Sequence, residues 1–291
     1  MVRGARMAMS EDAKDADPSI GMKLFSAWFW FYLVASLTVF WFAVAIPWLL
    51  ITPFDRRRRF SHWYAYTWAN HLELMSLWRI QVEGGEHMRE DTAYVLACNH
   101  QSSGDILTLF SLRKQFRWVA KRELFAVPFL GWMMAMAGYV GIKRGDPNSR
   151  KKMMAKCRRH LELGNSVAIF PEGTRSESGD IQPFKIGAFV LACEADAAVL
   201  PVLMEGTREA LPRASFVFGV DALIYPIVRV LEPLHPADYG NDPERLRDAT
   251  RAVMVRERAV LRAEIEGRGG FCVPPPYVAE RAGSGRRRGR S

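Results

Sequence analysis

A histidine and an aspartate five positions apart, His100 and Asp105, lie between two apolar runs of the sequence. The first run, 94–97, leads into Cys98-Asn99-His100-Gln101-Ser102-Ser103-Gly104-Asp105, and the second, 106–110, follows. A spacing of five does not place two side chains on one face of a helix, where neighbours are three or four apart. It suits a histidine at a strand end and an aspartate in the first turn of the next helix. There the carboxylate can accept a hydrogen bond from one imidazole nitrogen and fix the tautomer, leaving the other nitrogen to take a proton. A base so oriented activates a hydroxyl, typically by ~10²–10⁴-fold. The plainer reading makes Asp105 a helix cap and His100 a loop histidine. A third makes Ser102 or Ser103 a covalent nucleophile, but neither sits in a GxSxG elbow.

Phe170-Pro171-Glu172-Gly173-Thr174-Arg175-Ser176 follows another apolar run, 167–170, and is therefore a loop at a strand's C-terminal end, where open α/β sheets place their ligands. Gly173 allows close backbone approach, Arg175 can hold a phosphate in a fork, and Glu172 and Thr174 offer groups for a glycerol backbone. A plain turn with exposed charges is the alternative. Arg144 ends Gly138-Tyr139-Val140-Gly141-Ile142-Lys143-Arg144, again just past an apolar run. With Lys121, from Lys121-Arg122-Glu123-Leu124, these cations are consistent with a phosphate pocket.

The elements that must position these groups are short. Strands are expected at 94–97, 139–142, 167–170, 199–203 and 224–231, and helices at 149–163 and 243–266, each of the latter followed by glycine, Gly164 and Gly267. Strands alternating with helices predict a layered α/β domain with a mostly parallel or mixed sheet flanked by helices. Ahead of it, 24–51 carries no charge, which exceeds the roughly 20 residues needed to cross a bilayer. It is also far longer than the ~7–15 residues of a signal-peptide core. Pro47 leaves two forms open, one membrane helix or a re-entrant helical pair. Arg56, Arg57, Arg58 and Arg59 follow and place that side in the cytoplasm; contact of these arginines with anionic headgroups is compatible with that role. Near-helical spacing of aromatic and aliphatic residues over 60–78 predicts an amphipathic helix. The expected organisation is a mobile N-terminus at 1–22, a membrane anchor with its arginines at 23–60, a cytoplasmic domain at 61–270 and a flexible basic tail at 271–291.

The blocks together resemble the glycerolipid acyltransferases, specifically the 1-acylglycerol-3-phosphate acyltransferases. Asn99-His100 to Asp105 resembles that family's His-x4-Asp motif, Gly138 to Arg144 its second block, Phe170 to Ser176 its third and Val199-Leu200-Pro201-Val202 its fourth, in the family's usual order. Lys121-Arg122-Glu123-Leu124 with Pro128 and Gly131, and Phe184-Lys185 with Gly187, are also similar. The second block departs from the family where Gly141-Ile142-Lys143 replaces a bulkier apolar residue and an acidic one, which bears on the acceptor. The resemblance implies an acyltransferase fold and transfer of a fatty acyl group from acyl-CoA or acyl-carrier protein to the sn-2 hydroxyl of lysophosphatidate. It also implies His100 as general base and Asp105 as its orienting partner. Arg144, Arg175 and Lys121 would bind the acceptor phosphate, with Glu172, Gly173 and Thr174 around the glycerol. No metal or prosthetic group is implied. Acylation of another lysophospholipid or a lyso-ornithine lipid would use the same pair, and a silent lipid-binding protein would need no oriented base.

Composition agrees without choosing. The formal charge of +9 calls for an anionic partner, such as a membrane surface, a phosphorylated substrate or nucleic acid. Part of it lies in the terminal run Arg281, Arg286, Arg287, Arg288 and Arg290; no specific nucleic-acid partner is expected. Cys98, Cys157, Cys193 and Cys272 form no CxxC pair, so neither a zinc site nor a disulfide framework is indicated.

Overall fold

The structure, a computed structural model, describes residues 19–212, 215–218 and 223–274. The N-terminal residues 1–18 and the basic tail from 275 lie outside that range. Seven strands run as β1 (Gln81–Glu83), β2 (Val95–Cys98), β3 (Phe116–Lys121), β4 (Val140–Ile142), β5 (Ser166–Ile169), β6 (Val199–Glu205) and β7 (Ile227–Val230). The helices are α1 (Ile20–Ile51), α2 (Arg59–Met75), α3 (Asp105–Leu109), α4 (Leu130–Met136), α5 (Pro147–Glu162), α6 (Gly187–Glu194), α7 (Thr207–Ala210) and α8 (Pro243–Gly267).

The strands form one sheet in the order β1-β7-β6-β2-β5-β3-β4. All neighbours are parallel except β6 and β7, the mixed, mostly parallel sheet expected from the sequence. Alternation along β2 divides the core: Val95 and Ala97 pack with α5, α6 and α8 side chains such as Cys157, Phe189 and Leu261, whereas Leu96 and Cys98 pack with Ala65 and Ala69 of α2 and Leu109 of α3. The sheet is therefore the middle of three layers. The sequence reading lacked β1 and β3. The first is a three-residue edge strand, and the second carries Arg117, fully buried, as its second residue between Phe116 and Trp118. The helix expected from 149 begins at Pro147, because Asp146 caps it by accepting from the N–H groups of Asn148 and Ser149.

Helix α1 runs through Pro47 without interruption, so the structure has one continuous apolar helix, long enough at 32 residues to cross a membrane. Large apolar side chains remain exposed along it, among them Leu24, Phe31, Phe42 and Leu49, so among the described residues much of its surface has no protein partner. The chain turns at 52–58 and returns as α2, which ends at Met75 rather than at Trp78 as expected. Ser76 stops it: its hydroxyl accepts from Trp78 N, turning the chain so that Trp78 is buried and bridges Ile224 beside the sheet.

Candidate active site

Strand β2 lies between β5 and β6, with Ala97 level with Ile169 on one side and Pro201 on the other. The loops leaving these three strands at their C-terminal ends are therefore neighbours. Asn99 prolongs the pairing with β6 through its side chain, donating to Met204 O at 2.9 Å and accepting from Met204 N at 2.7 Å. His100 then leaves the sheet on a fixed stem.

Asp105 is fully buried and gathers the loop around its carboxylate. Oδ2 faces His100 Nδ1 at 2.8 Å and accepts from Gln101 N at 2.7 Å and Ser102 N at 2.9 Å. Thr207 Oγ1, from the start of α7, donates to Oδ1. A carboxylate in this position is an acceptor only, so the imidazole proton sits on Nδ1 and Nε2 keeps its lone pair. The ring stacks on Phe170 at 4.1 Å between centroids and 17° between planes, and Phe170 stacks in turn on Trp118 at 5.4 Å. The His100 side chain is 15% exposed. Orientation by a buried carboxylate, with one nitrogen facing open space, is what a general base requires.

The serine alternative does not fit this geometry. Ser102 is buried and donates to Leu211 O at 2.7 Å, and Ser103 Oγ accepts from Arg175 Nη1 at 2.8 Å. Gly104 is needed for contact, since a Cβ there would sit 2.3 Å from Trp78 Cη2.

Glu172 takes a place the sequence did not foresee. Expected beside the glycerol, it is instead buried, with Oε1 accepting from His100 N at 2.8 Å and Oε2 from Gln182 N at 3.1 Å. Ser176 N donates to His100 O at 2.8 Å, so the loop after β5 holds both sides of the His100 peptide unit. Burial pushes the Glu172 carboxyl up to about 7, against the two N–H groups and with the help of the Asp105 charge. Gly173 adopts φ +72°, and a Cβ there would meet Lys185 Nζ at 2.4 Å, so the ammonium lies directly over the glycine. Thr174 is exposed.

A cavity of about 1390 Å³ opens beside His100. Lys121, Arg144 and Lys185 are among its cationic lining residues, and Leu37 of α1, Trp68 of α2 and Met133 of α4 among its apolar ones. The cleft thus joins apolar and cationic side chains with the open face of the histidine. Arg175 is not among its lining residues and is held instead at Ser103. No cluster of metal-ligating side chains occurs among the described residues.

Three participants had no assigned role in the sequence reading. Glu205 ends β6, Thr207 starts α7, and Lys185 lies in the loop between β5 and α6. Glu205 is fully buried and accepts from Gln101 Nε2 at 2.7 Å, Arg258 Nε at 2.6 Å and Arg262 Nε at 2.7 Å, tying α8 to the residue beside His100. An acid closing an otherwise apolar strand was the available signal for it.

Residues 79–205 match the model of the Acyltransferase family. A 1-acyl-sn-glycerol-3-phosphate acyltransferase of Pseudomonas aeruginosa is 34% identical over 59% of this chain and 68% of its own length. The chain belongs to the acyltransferase family. Further members are the chloroplastic 1-acyl-sn-glycerol-3-phosphate acyltransferase of Arabidopsis thaliana, 36% identical over 72% of this chain and 59% of its own, and the mouse alpha form, 30% identical over 70% and 72%. The chain therefore spans about three-fifths of the length of the plant relatives. The fold is shared with the crystal structure of the 1-acyl-sn-glycerophosphate acyltransferase PlsC from Thermotoga maritima, with TM-score 0.74, 23% identity, and coverage of 84% of this chain and 97% of that one.

Proposed function

We propose that this acyltransferase moves a fatty acyl group from acyl-CoA or acyl-carrier protein to the sn-2 hydroxyl of lysophosphatidate, giving phosphatidate, at the cytoplasmic face of a membrane that α1 enters. The observation that carries the reading is the contact of His100 Nδ1 with the buried Asp105 carboxylate beside a cavity lined by both apolar and cationic side chains.

Nε2 of His100 takes the proton of the acceptor hydroxyl as its oxygen attacks the thioester carbonyl. Asp105 stabilises the resulting imidazolium. The tetrahedral intermediate collapses, the C–S bond breaks, and the imidazolium returns its proton to the departing thiolate. No acyl-enzyme is formed. The N–H groups of His100, Gln101 and Ser102 are already engaged by Glu172 and Asp105, so donors for the oxyanion come from elsewhere at the cleft mouth, where Lys185 lies. Lys121, Arg144 and Arg175 are assigned to the acceptor phosphate, and the apolar lining of the cavity to the acyl chain. Glu172 serves as a positioning residue for the His100 peptide.

The test is acyl transfer by the detergent-solubilised full chain. Oleoyl-CoA is offered against lysophosphatidate, lysophosphatidylethanolamine, lysophosphatidylglycerol and lyso-ornithine lipid, with His100→Ala alongside. Preference for lysophosphatidate and a silent variant are expected. Preference for another acceptor would keep the chemistry and replace the substrate.

A further inference from the structure

A second cavity, of about 820 Å³, lies between the turn that follows α1 and the face of α5 turned away from the catalytic cleft. Its walls are cationic. Arg56 and Arg58 come from the turn, Arg122 from the segment after β3, and Lys152, Lys156 and Arg159 from one face of α5, where spacings of four and three align side chains. None of these six pairs with a carboxylate among the described residues; the ion pair on this helix, Arg158 to Glu162, lies outside the cavity. The two acids in the wall, of which Asp146 acts on Lys152 and Asp55 on the buried Arg117, also cap helices. Asp55 accepts from Arg59 N and Phe60 N at 2.9 Å each and caps α2, and Asp146 caps α5.

Beneath the wall lies a buried cation. Arg117 is fully buried, donates to the main-chain carbonyls of Phe116 and Arg57, and has no partner at Nε. Burial disfavours its charge, and the Asp55 carboxylate offsets that only in part. Its Nε lies close to Gly138 of the cavity wall, where a Cβ would meet Arg58, His160 and Arg117 at 3.5, 3.6 and 3.7 Å. Arg58 itself is held at φ +50°, a conformation that arginine adopts only at a cost. Crowding shows in the titration of the group: burial and the Arg117 charge push His160 down to about 4.

The ligand is therefore an anion with several oxygens, and its source follows from position. Thr52 and Asp55 of the cavity wall adjoin the end of the apolar helix α1, and the Arg58 guanidinium lies over the ring of Trp48, 5.6 Å from its centroid. Trp at the end of a spanning helix marks the headgroup level of a bilayer. We propose that this cavity is a binding site for the phosphate of an anionic phospholipid headgroup, separate from the catalytic cleft, which clamps the turn between α1 and α2 against α5. Acidic lipid then sets how firmly the anchor is joined to the domain.

The test uses the full chain in neutral detergent, titrated with dioleoyl phosphatidylglycerol, dioleoyl phosphatidylcholine, inorganic phosphate or CoA, and read as bound lipid by native mass spectrometry and as the shift in thermal midpoint. Phosphatidylglycerol should bind and raise the midpoint, and phosphatidylcholine should do neither. Lys156→Gln with Arg159→Gln, both exposed, should weaken phosphatidylglycerol roughly twenty-fold. Lys121→Gln with Arg144→Gln in the catalytic cleft should leave that binding in place. Arg122→Gln, on the opposite wall, serves if the double variant does not fold. Equal binding of phosphatidylglycerol by the parent and by the cavity variants overturns the proposal. So does saturation of the same site by inorganic phosphate or CoA in preference to the lipid.

Discussion

Thr207 donates its hydroxyl hydrogen to Oδ1 of Asp105, the carboxylate whose other oxygen faces His100 Nδ1 at 2.8 Å. The two residues are 102 positions apart and are brought together because β6 lies beside β2. The bond is fully buried, so deleting it leaves a carboxylate oxygen without its donor. Thr207→Val should lower kcat by roughly tenfold with KM for either substrate little changed, while Thr207→Ser keeps the donor and should restore most of the rate. Steady-state kinetics on the three proteins decide it. A change confined to KM would remove Thr207 from the positioning of the base.

The base and its partner make different demands on substitution. His100→Ala removes the proton acceptor and should reduce turnover by about 10²–10⁴-fold with the fold retained. Asp105→Asn has the right shape but can present an N–H₂ group to Nδ1 and to the two main-chain N–H groups, favouring the wrong tautomer and loosening the loop. A comparable loss of rate is expected, together with a lower thermal midpoint that His100→Ala does not show. Substantial activity in the histidine variant would dismiss the mechanism.

The cationic lining makes a separate prediction. Lys121 and Arg144 line the cavity near His100. If they hold the acceptor phosphate, Lys121→Gln and Arg144→Gln should each raise KM for lysophosphatidate by roughly tenfold or more, and neither should affect monoacylglycerol, which lacks the charge. Arg175, bonded to Ser103 and absent from the cavity lining, should affect kcat as well as KM. Equal sensitivity of both acceptors would assign these cations to the acyl donor.

Glu205 carries structural cost as well as position. Its two oxygens serve Gln101, Arg258 and Arg262, and the group has no exposed surface. Burial raises its pKa while Arg262 and Arg258 oppose the rise. Glu205→Ala would strand two arginines between α8 and the sheet, a change worth about 3 kcal/mol. Thermal melts should show a clear drop in midpoint, and truncating the half-buried Glu209, which meets only Arg262 of the two arginines, should cost less.

Residues contributed by local patterns were legible, and residues contributed by pairing were not. His100 and Asp105 sit on one strand-loop-helix segment, so their relation is a matter of spacing. The mixed sheet followed from apolar runs alternating with capped helices. Thr207, Glu205 and Lys185 act through strand neighbours 85 or more positions from His100 along the chain, and nothing in a single run of residues says that β6 lies beside β2. Strand β3 was hidden because Arg117, a charge in an apolar run, argues against burial until the cavity above it is seen. For Glu172 the sequence shows only a polar group in a loop at a strand's C-terminal end, which suits a ligand; its partners are main-chain N–H groups that no sequence pattern displays.

Glu172 also gives the protein a pH signature. Its carboxyl lies at about 7 in the folded chain, chiefly through burial, against about 4.5 when exposed. A raised acid pKa means that the native state holds the proton more tightly than the unfolded one. The associated stability is present in full below about pH 4.5 and is lost as pH rises to about 7. The loss is about 3 kcal/mol at most. Glu172→Gln does not titrate, so the difference in thermal midpoint between parent and variant should change between pH 4.5 and 7 and stay level above that. The variant should also turn over more slowly above about pH 7, where the parent's carboxylate accepts from both His100 N and Gln182 N and the amide cannot. A pH-independent difference in midpoint would mean that the carboxyl titrates near its ordinary value, held down by those two N–H groups more strongly than burial raises it.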